Sequence, residues 1–154
     1  IQLVEGGQPS VNVSLLYDQQ SVVNVDDYNF DGMEDLALCD GANGSYGGPS
    51  YRIYLSSRAA KKFVYSAAFT KLGSHLGMFM VDKAKKTLET FDKSGCCLHY
   101  AQTYKVLKNK PKLIQEVNEY YNPPTDPGFI VTETKKLING KWRTSEKREK
   151  IPPQ

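Results

Sequence analysis

Histidines, cysteines and long apolar runs are scarce or absent in this chain of 154 residues. The two histidines, His75 and His99, lie in unrelated surroundings, and neither G-x-S-x-G nor H-E-x-x-H occurs, so we expect a protein that is not an enzyme. No apolar run approaches the roughly 20 residues that a membrane-spanning helix needs. Apolar residues make up 40% of the chain and charged residues 24%, which is typical of a globular protein.

The three cysteines are Cys39, Cys96 and Cys97. They form no C-x-x-C pair and no histidine cluster accompanies them, which disfavours a zinc site. In an oxidising compartment Cys39 could form a disulfide with Cys96 or Cys97, or these two adjacent cysteines could pair with each other. In the cytosol all three would be buried thiols. If the protein is exported, we expect a disulfide that involves Cys96 or Cys97.

Charge is divided unevenly along the chain. Residues 1–77 carry 5 Lys and Arg against 8 Asp and Glu, and the rest carries 15 against 9, so the two parts have net charges of −3 and +6. Six of the eight N-terminal acids lie within residues 26–40, which suits a cation and not a nucleic acid. In the basic segment KWRTSEKREK, residues 141–150, Lys and Arg alternate with Glu and Ser. We interpret this segment as a solvated strand face and expect no nucleic-acid partner.

The acidic segment DDYNFDGMEDLAL, residues 26–38, has the spacing of a calcium loop, with oxygen ligands at alternating positions and a sharp turn at Gly32. An EF-hand needs a glutamate at the position of Leu38, and the flanks are too short for its two helices. We therefore expect a calcium loop between strands; the alternative is an Asx-rich turn without a metal. The predicted ligands are Asp27, Asn29, Asp31, the carbonyl of Met33, and Asp35.

Short alternating or apolar segments separated by turn signals make up the rest of the chain. Turns are expected at NKPK and NG, a helical turn only in SSRAAKKF or YSAAFTKLG, and a loop at NPPTDPG. Strands are predicted at VNVSLLYD, VVNVDD, DLALC, YRIYLSS, KKFVYSA, MFMVDKA, KTLETFDKS, CLHYAQTYKVLKN, KPKLIQEVNEYY, FIVTETKKLI and KWRTSEK.

This succession of hairpins predicts an all-β fold, an antiparallel sandwich or open barrel with little helix. The length predicts a single domain over residues 1–154, and one copy of the calcium signature excludes a multi-bladed propeller. The chain begins at Ile1 without Met or signal peptide, which predicts a processed or trimmed form. Because free calcium near the millimolar range is found outside the cytosol, the calcium loop favours export.

Directly after the calcium segment comes DGANGSYGGPSYRIYL, residues 40–55, which is rich in glycine, serine and tyrosine. Glycines allow a backbone to project, and tyrosine offers a large face with few rotatable bonds, so such loops are typical of protein recognition. The alternative is an ordinary glycine-rich connection.

The segments VNVDDYNFDGMEDLAL, DGANGSYGGPSYRIYL, FVYS, LGMF and KSGCC together resemble a family of exported bacterial immunity proteins that inhibit lysozyme-like peptidoglycan hydrolases. The resemblance covers about residues 20–100. It implies a β-rich fold like that of periplasmic lysozyme inhibitors, a bound Ca²⁺, and a loop that enters the cleft of the hydrolase. The implied partner-binding residues are Ser45, Tyr46, Gly47, Gly48 and Tyr51.

On this basis we expect a calcium-stabilised periplasmic inhibitor of a peptidoglycan hydrolase toxin. The D-x-N-x-D-G-x-x-D-L pattern also resembles the cation loops of integrin-type FG-GAP repeats, so a calcium-dependent adhesion or binding module is the first alternative. The second alternative is an enzyme that uses the acidic side chains of residues 26–40. Its activity would survive loss of the tyrosine loop, which is the glycine- and tyrosine-rich segment within residues 40–55. The expected contact with a membrane is limited to an anchor removed on processing.

Overall fold

The computed structural model describes residues 22–121 and 128–151. The predicted strand VNVSLLYD and nearly all of the predicted loop NPPTDPG lie outside these residues. The chain divides into two compact units, Ile1–Met78 and Phe79–Gln154. The two units are of nearly equal length, and the single domain expected for residues 1–154 stays a prediction.

The described part of the first unit forms a four-stranded antiparallel sheet in the order β1-β2-β3-β4 and one short helix. Inward residues alternate along β3, so Tyr51, Ile53 and Leu55 are buried. The bounds are β1 Val23–Asp26, β2 Asp35–Gly41, β3 Ser50–Ser57, β4 Lys62–Tyr65 and α1 Ala67–Leu72.

Helix α1 covers the buried face beside β3 with Phe69 and Leu72, both of which are buried. It also satisfies backbone groups of the strand. The N–H of Ile53 donates to Oγ1 of Thr70 at 3.0 Å, and the N–H of Tyr51 donates to the carbonyl of Gly73 at 2.9 Å. The residues that follow the helix are thereby held close to the start of β3.

The described part of the second unit forms a six-stranded antiparallel sheet in the order β10-β9-β8-β7-β6-β5. Its buried residues include Phe79, Leu88 and Val131. All ten residues of the last strand are exposed, as expected for the charged segment 141–150. The bounds are β5 Met80–Asp82, β6 Thr87–Ser94, β7 Leu98–Leu107, β8 Lys110–Tyr120, β9 Phe129–Ile138 and β10 Lys141–Lys150.

The all-β antiparallel class is confirmed, and neither sheet closes into a barrel within the described residues. The predicted hairpins are confirmed too, with turns at Lys108–Asn109 and Asn139–Gly140, where the residues adopt the positive φ angles that tight hairpins need. The first turn lies earlier than NKPK predicted, because residues 110–112 already pair within β8. The helical turn lies in YSAAFTKLG. No helix among the described residues is long and apolar enough to cross a membrane.

Candidate functional site

The connection between β1 and β2 is an acidic loop whose carboxylates bind its own backbone. Asp27 accepts the N–H of Asp31 at 3.0 Å and that of Gly32 at 2.8 Å, and Asp31 accepts the N–H of Met33 at 2.9 Å. Phe30 and Gly32 adopt φ angles of 63° and 83°, which bend the chain around these groups. The loop thus presents carboxylate oxygens on a tightly folded backbone.

Asp35, at the end of the acidic loop, is fully buried. Its two oxygens accept the N–H of Tyr28 at 2.9 Å and the N–H of Ser56 at 2.8 Å, so the side chain ties the loop to β3. Burial is the main cause that raises the pKa of this carboxyl, and the like charge of Asp31 raises it further, while hydrogen bonds from backbone N–H groups oppose the shift. Asp35 is therefore an anchor as well as a predicted ligand.

The donor types of the acidic loop suit calcium, since carboxylate, amide and carbonyl oxygens are its usual ligands. Their arrangement is only partly that of a metal centre. In the described part of the chain, no three His, Cys, Asp or Glu side chains are gathered closely enough to hold a metal ion. The amide of Asn29 donates to Oδ2 of Asp31 at 2.9 Å, so these two predicted ligands contact each other. The calcium site stays a prediction.

Between β2 and β3, the tyrosine loop forms a single 3₁₀ turn over Ser45–Gly47. Tyr46 lies at its tip with a left-handed φ of 56°, and 51% of its surface is exposed. The turn is closed by backbone bonds from Gly47 to Gly44 at 3.1 Å and from Gly48 to Ser45 at 3.0 Å. The tip therefore presents one aromatic side chain on an ordered backbone.

A polar cluster supports the base of the tyrosine loop. Asp40 accepts the hydroxyl of Ser50 at 2.5 Å and Nε of Arg52 at 2.9 Å, and Asn43 donates its amide to the same hydroxyl at 3.2 Å. Burial raises the pKa of the Asp40 carboxyl, but the hydrogen bonds from Ser50 and Arg52 outweigh it, so the pKa lies below its usual range. The register of the pairing between β2 and β3 shifts between Cys39 and Gly41, so this cluster lies at an irregularity near the end of β2.

The segment that follows α1 also holds the tyrosine loop, a contact that the sequence analysis missed. The N–H of Ser45 donates to the carbonyl of His75 at 2.9 Å. A Cβ atom at Gly44 would lie 2.7 Å from that carbonyl and 2.8 Å from the carbonyl of Pro49, so only glycine fits there. In the sequence, Gly44 alone indicated a close approach of another backbone, but a glycine does not reveal which distant segment approaches it.

Of the two tyrosines assigned to partner binding, the structure keeps one at the surface. The role expected for Tyr51 is wrong, because its side chain is 1% exposed and packs in the core of the first unit. Tyr51 is the second residue of β3, whose alternate residues face inward, and burial raises the pKa of its hydroxyl. Ser45, Tyr46, Gly47 and Gly48 do lie together in one turn, which leaves Tyr46 as the aromatic residue of the tip.

The fold and the two loops together define an all-β antiparallel protein with an acidic loop at one end of β2 and an ordered aromatic tip at the other. No protein-family model matches the chain, and no curated protein matches it significantly. Among solved structures, it is similar to one described as a Xanthomonas type IV secretion system related protein, with a TM-score of 0.70 and 28% sequence identity. The match covers 84% of this chain and 60% of that protein, so the chain spans less than two thirds of that protein's length.

Proposed function

We propose that this chain is an exported, secretion-associated immunity protein that inhibits a lysozyme-like peptidoglycan glycoside hydrolase by filling its cleft. The observation that carries the proposal is the tyrosine loop: Tyr46 is half exposed at the tip of a turn whose backbone is fixed from both sides. A tip that is ordered before binding loses little conformational entropy when it enters a partner. The protein acts by binding, in the periplasm, and catalyses no reaction.

The tip suits the cleft of a glycoside hydrolase. Such a cleft stacks sugar rings and holds two carboxyl groups about 5 to 10 Å apart. The ring of Tyr46 would occupy a sugar subsite and its hydroxyl would bond to a catalytic carboxyl group. Gly47 is exposed and would meet no neighbouring atom within 4 Å at its Cβ position, so the wall of the cleft could approach the backbone there.

Calcium has a structural role in this proposal. Asp27, Asn29, Asp31, the Met33 carbonyl and Asp35 would hold the ion, which would compensate the like charges that the acidic loop brings together. Asp35 already bonds to Ser56 in β3, and β3 begins at Ser50, next to the tyrosine loop. Stabilising the acidic loop would therefore stabilise the strand that supports the tip.

The similarity to the Xanthomonas protein supports a secretion context, because that protein is described as related to a type IV secretion system. An immunity protein for a secreted cell-wall toxin belongs to such a context. The identity of the hydrolase and the periplasmic location are parts of the proposal.

The test is a kinetic one, with purified lysozyme-like peptidoglycan hydrolases and cell-wall fragments as substrate. Occupation of the cleft predicts competitive inhibition, in which the apparent KM rises with the concentration of this protein while kcat is unchanged. Inhibition that lowers kcat alone would place the contact outside the cleft. If no hydrolase is inhibited, the proposal fails and the calcium-dependent binding module becomes the better explanation.

A further inference from the structure

A second site lies at one end of the six-stranded sheet, where the turn between β6 and β7 carries two adjacent cysteines. Cys96 and Cys97 form a disulfide, which is the pairing of neighbours left open by the sequence, whereas Cys39 is a free thiol. The N–H of Tyr121 donates to the carbonyl of Cys97 at 3.0 Å, so the end of β8 is held against this turn. The disulfide is thus part of an ordered surface.

Two adjoining cavities open around the disulfide, with volumes of about 250 and about 400 Å³. Both are lined by the disulfide and by Tyr120 and Tyr121, and Ile130 and Ile151 extend the lining of the first. The larger volume lies within the range of about 300 to 1,000 Å³ typical of small-ligand pockets. A disulfide, two aromatic rings and aliphatic side chains give the site a mostly apolar surface.

The wall of the smaller cavity also carries polar groups. His99 and Glu119 face each other across β7 and β8, with Nδ1 of the imidazole 3.4 Å from Oε1 of the carboxylate, and both side chains are about half exposed. Together with the tyrosine hydroxyls they provide hydrogen-bond donors and acceptors beside the apolar surface. A purely apolar ligand would cover these groups without offering them a hydrogen bond, and an anion would be repelled by Glu119.

We propose that this disulfide pocket, defined by Cys96, Cys97, His99, Glu119, Tyr120 and Tyr121, binds a neutral saccharide ring. A pyranose has an apolar face that packs on an aromatic ring, and hydroxyl groups at its edge that match the imidazole and the carboxylate. The surface is open and small, so the expected Kd is on the order of 1 mM. The inference does not depend on hydrolase inhibition, because the pocket lies in the second unit and Tyr46 in the first.

The experiment is an NMR titration of the ¹⁵N-labelled protein with N-acetylglucosamine. We expect saturable shifts at the amides of Cys96, Cys97, Leu98 and Tyr121. Tyr121→Ala should weaken binding about fivefold or more through loss of the stacked ring, whereas Tyr121→Phe, which keeps the ring, should bind within about twofold of the parent. Replacing both cysteines with serine removes the sulfur surface and should also weaken binding.

Tyr65→Ala is the matched control, since it removes an exposed tyrosine of the first unit, outside the pocket, and should leave the sugar titration unchanged. The proposal is overturned if the sugar causes no saturable shift at these amides, or if Tyr121→Ala binds it as well as the parent. Titration with phenol tests the ligand class: tighter binding of phenol than of the sugar at the same amides would contradict the saccharide assignment. Because Tyr121 is partly exposed and its N–H bond to Cys97 is kept, its variants report on binding even if the serine variant fails to fold.

Discussion

Two aspartates hold the loops of the first unit, and their pKa values shift in opposite directions. Burial dominates at Asp35 and raises its pKa, since both oxygens are removed from solvent. At Asp40, burial is outweighed by the hydrogen bonds from Ser50 and Arg52, and the pKa is lowered. Asp35 is thus a buried anchor whose charged form is disfavoured by burial and favoured by backbone hydrogen bonds. Asp40 is a carboxylate whose charged form is stabilised by Ser50 and Arg52.

Replacing Asp35 with Ala should destabilise the protein by about 3 kcal/mol, because it removes the acceptor of the buried N–H of Tyr28 and of the part-buried N–H of Ser56. The matched control is Glu34→Ala, which removes the same charge from an exposed neighbour and should change the free energy of unfolding by less than about 0.5 kcal/mol. Urea denaturation measures both values. Equal effects of the two substitutions would show that Asp35 contributes charge and not anchoring.

Acid should loosen the base of the tyrosine loop through Asp40. Its folded pKa is lowered, so the stability it contributes is fully present above the unfolded value of about 3.9 and is lost as the pH falls through the folded pKa. NMR shifts of Asn43 and Ser50 should therefore move below about pH 4. In Asp40→Asn this pH dependence should disappear; an unchanged titration in that variant would assign it to another group.

The two tyrosines mark what could be inferred from local sequence and what could not. Glycine and tyrosine between two predicted strands were enough to place Tyr46 on a connection. Whether Tyr51 faced inward depended on where β3 begins and on the register with β2, which the bulge at Asp40 shifts. A shift of one residue exchanges the inner and outer faces of a strand, so the spacing alone could not decide it.

At the level of elements, the tyrosine loop depends on close contact between two connections. Gly44 is in a backbone conformation open to any residue, so the restriction there is steric. Gly44→Ala would force its Cβ against the carbonyls of His75 and Pro49 and should destabilise the protein by about 2 kcal/mol and displace the tip. Ser45→Ala keeps the N–H bond to His75 and should be nearly neutral. Thermal unfolding compares the two, and a neutral Gly44→Ala would contradict the packing described.

Most elements could be predicted because their signals are local. Asn139–Gly140 closes a hairpin by its own turn geometry, and period-two alternation identifies the strands on either side. The pocket around Cys96 and Cys97 could not be predicted, since it joins the β6–β7 turn to the end of β8 and to Ile151. The same holds for the contact between Ser45 and His75. Both depend on neighbours that are distant in sequence.

At the scale of the whole molecule, the two units and the predicted single domain lead to a test of cooperativity. The predicted calcium ligands belong to the first unit and the single tryptophan, Trp142, to the second. If the chain unfolds as one domain, calcium at 100 times its Kd should stabilise it by about 2.7 kcal/mol, and Trp142 fluorescence should report the shift. Asp31→Ala should lose this effect.

Calcium could raise the free energy of unfolding measured by amide exchange of residues 22–78 and leave the value measured by Trp142 fluorescence unchanged. That result would mean that the two units unfold separately. No shift by either probe, with no difference between the parent and Asp31→Ala, would contradict calcium binding. The chelated protein is the reference in each case.

The most direct test of the inhibitor proposal is the inhibition constant of Tyr46→Ala against the target hydrolase, measured in a cell-wall lysis assay beside the parent. An aromatic anchor at the centre of an interface contributes about 2 kcal/mol or more, so inhibition should weaken about thirtyfold or more. Tyr65→Ala, which removes a tyrosine of equal exposure from β4, should inhibit like the parent. Equal inhibition by Tyr46→Ala and the parent would contradict the account.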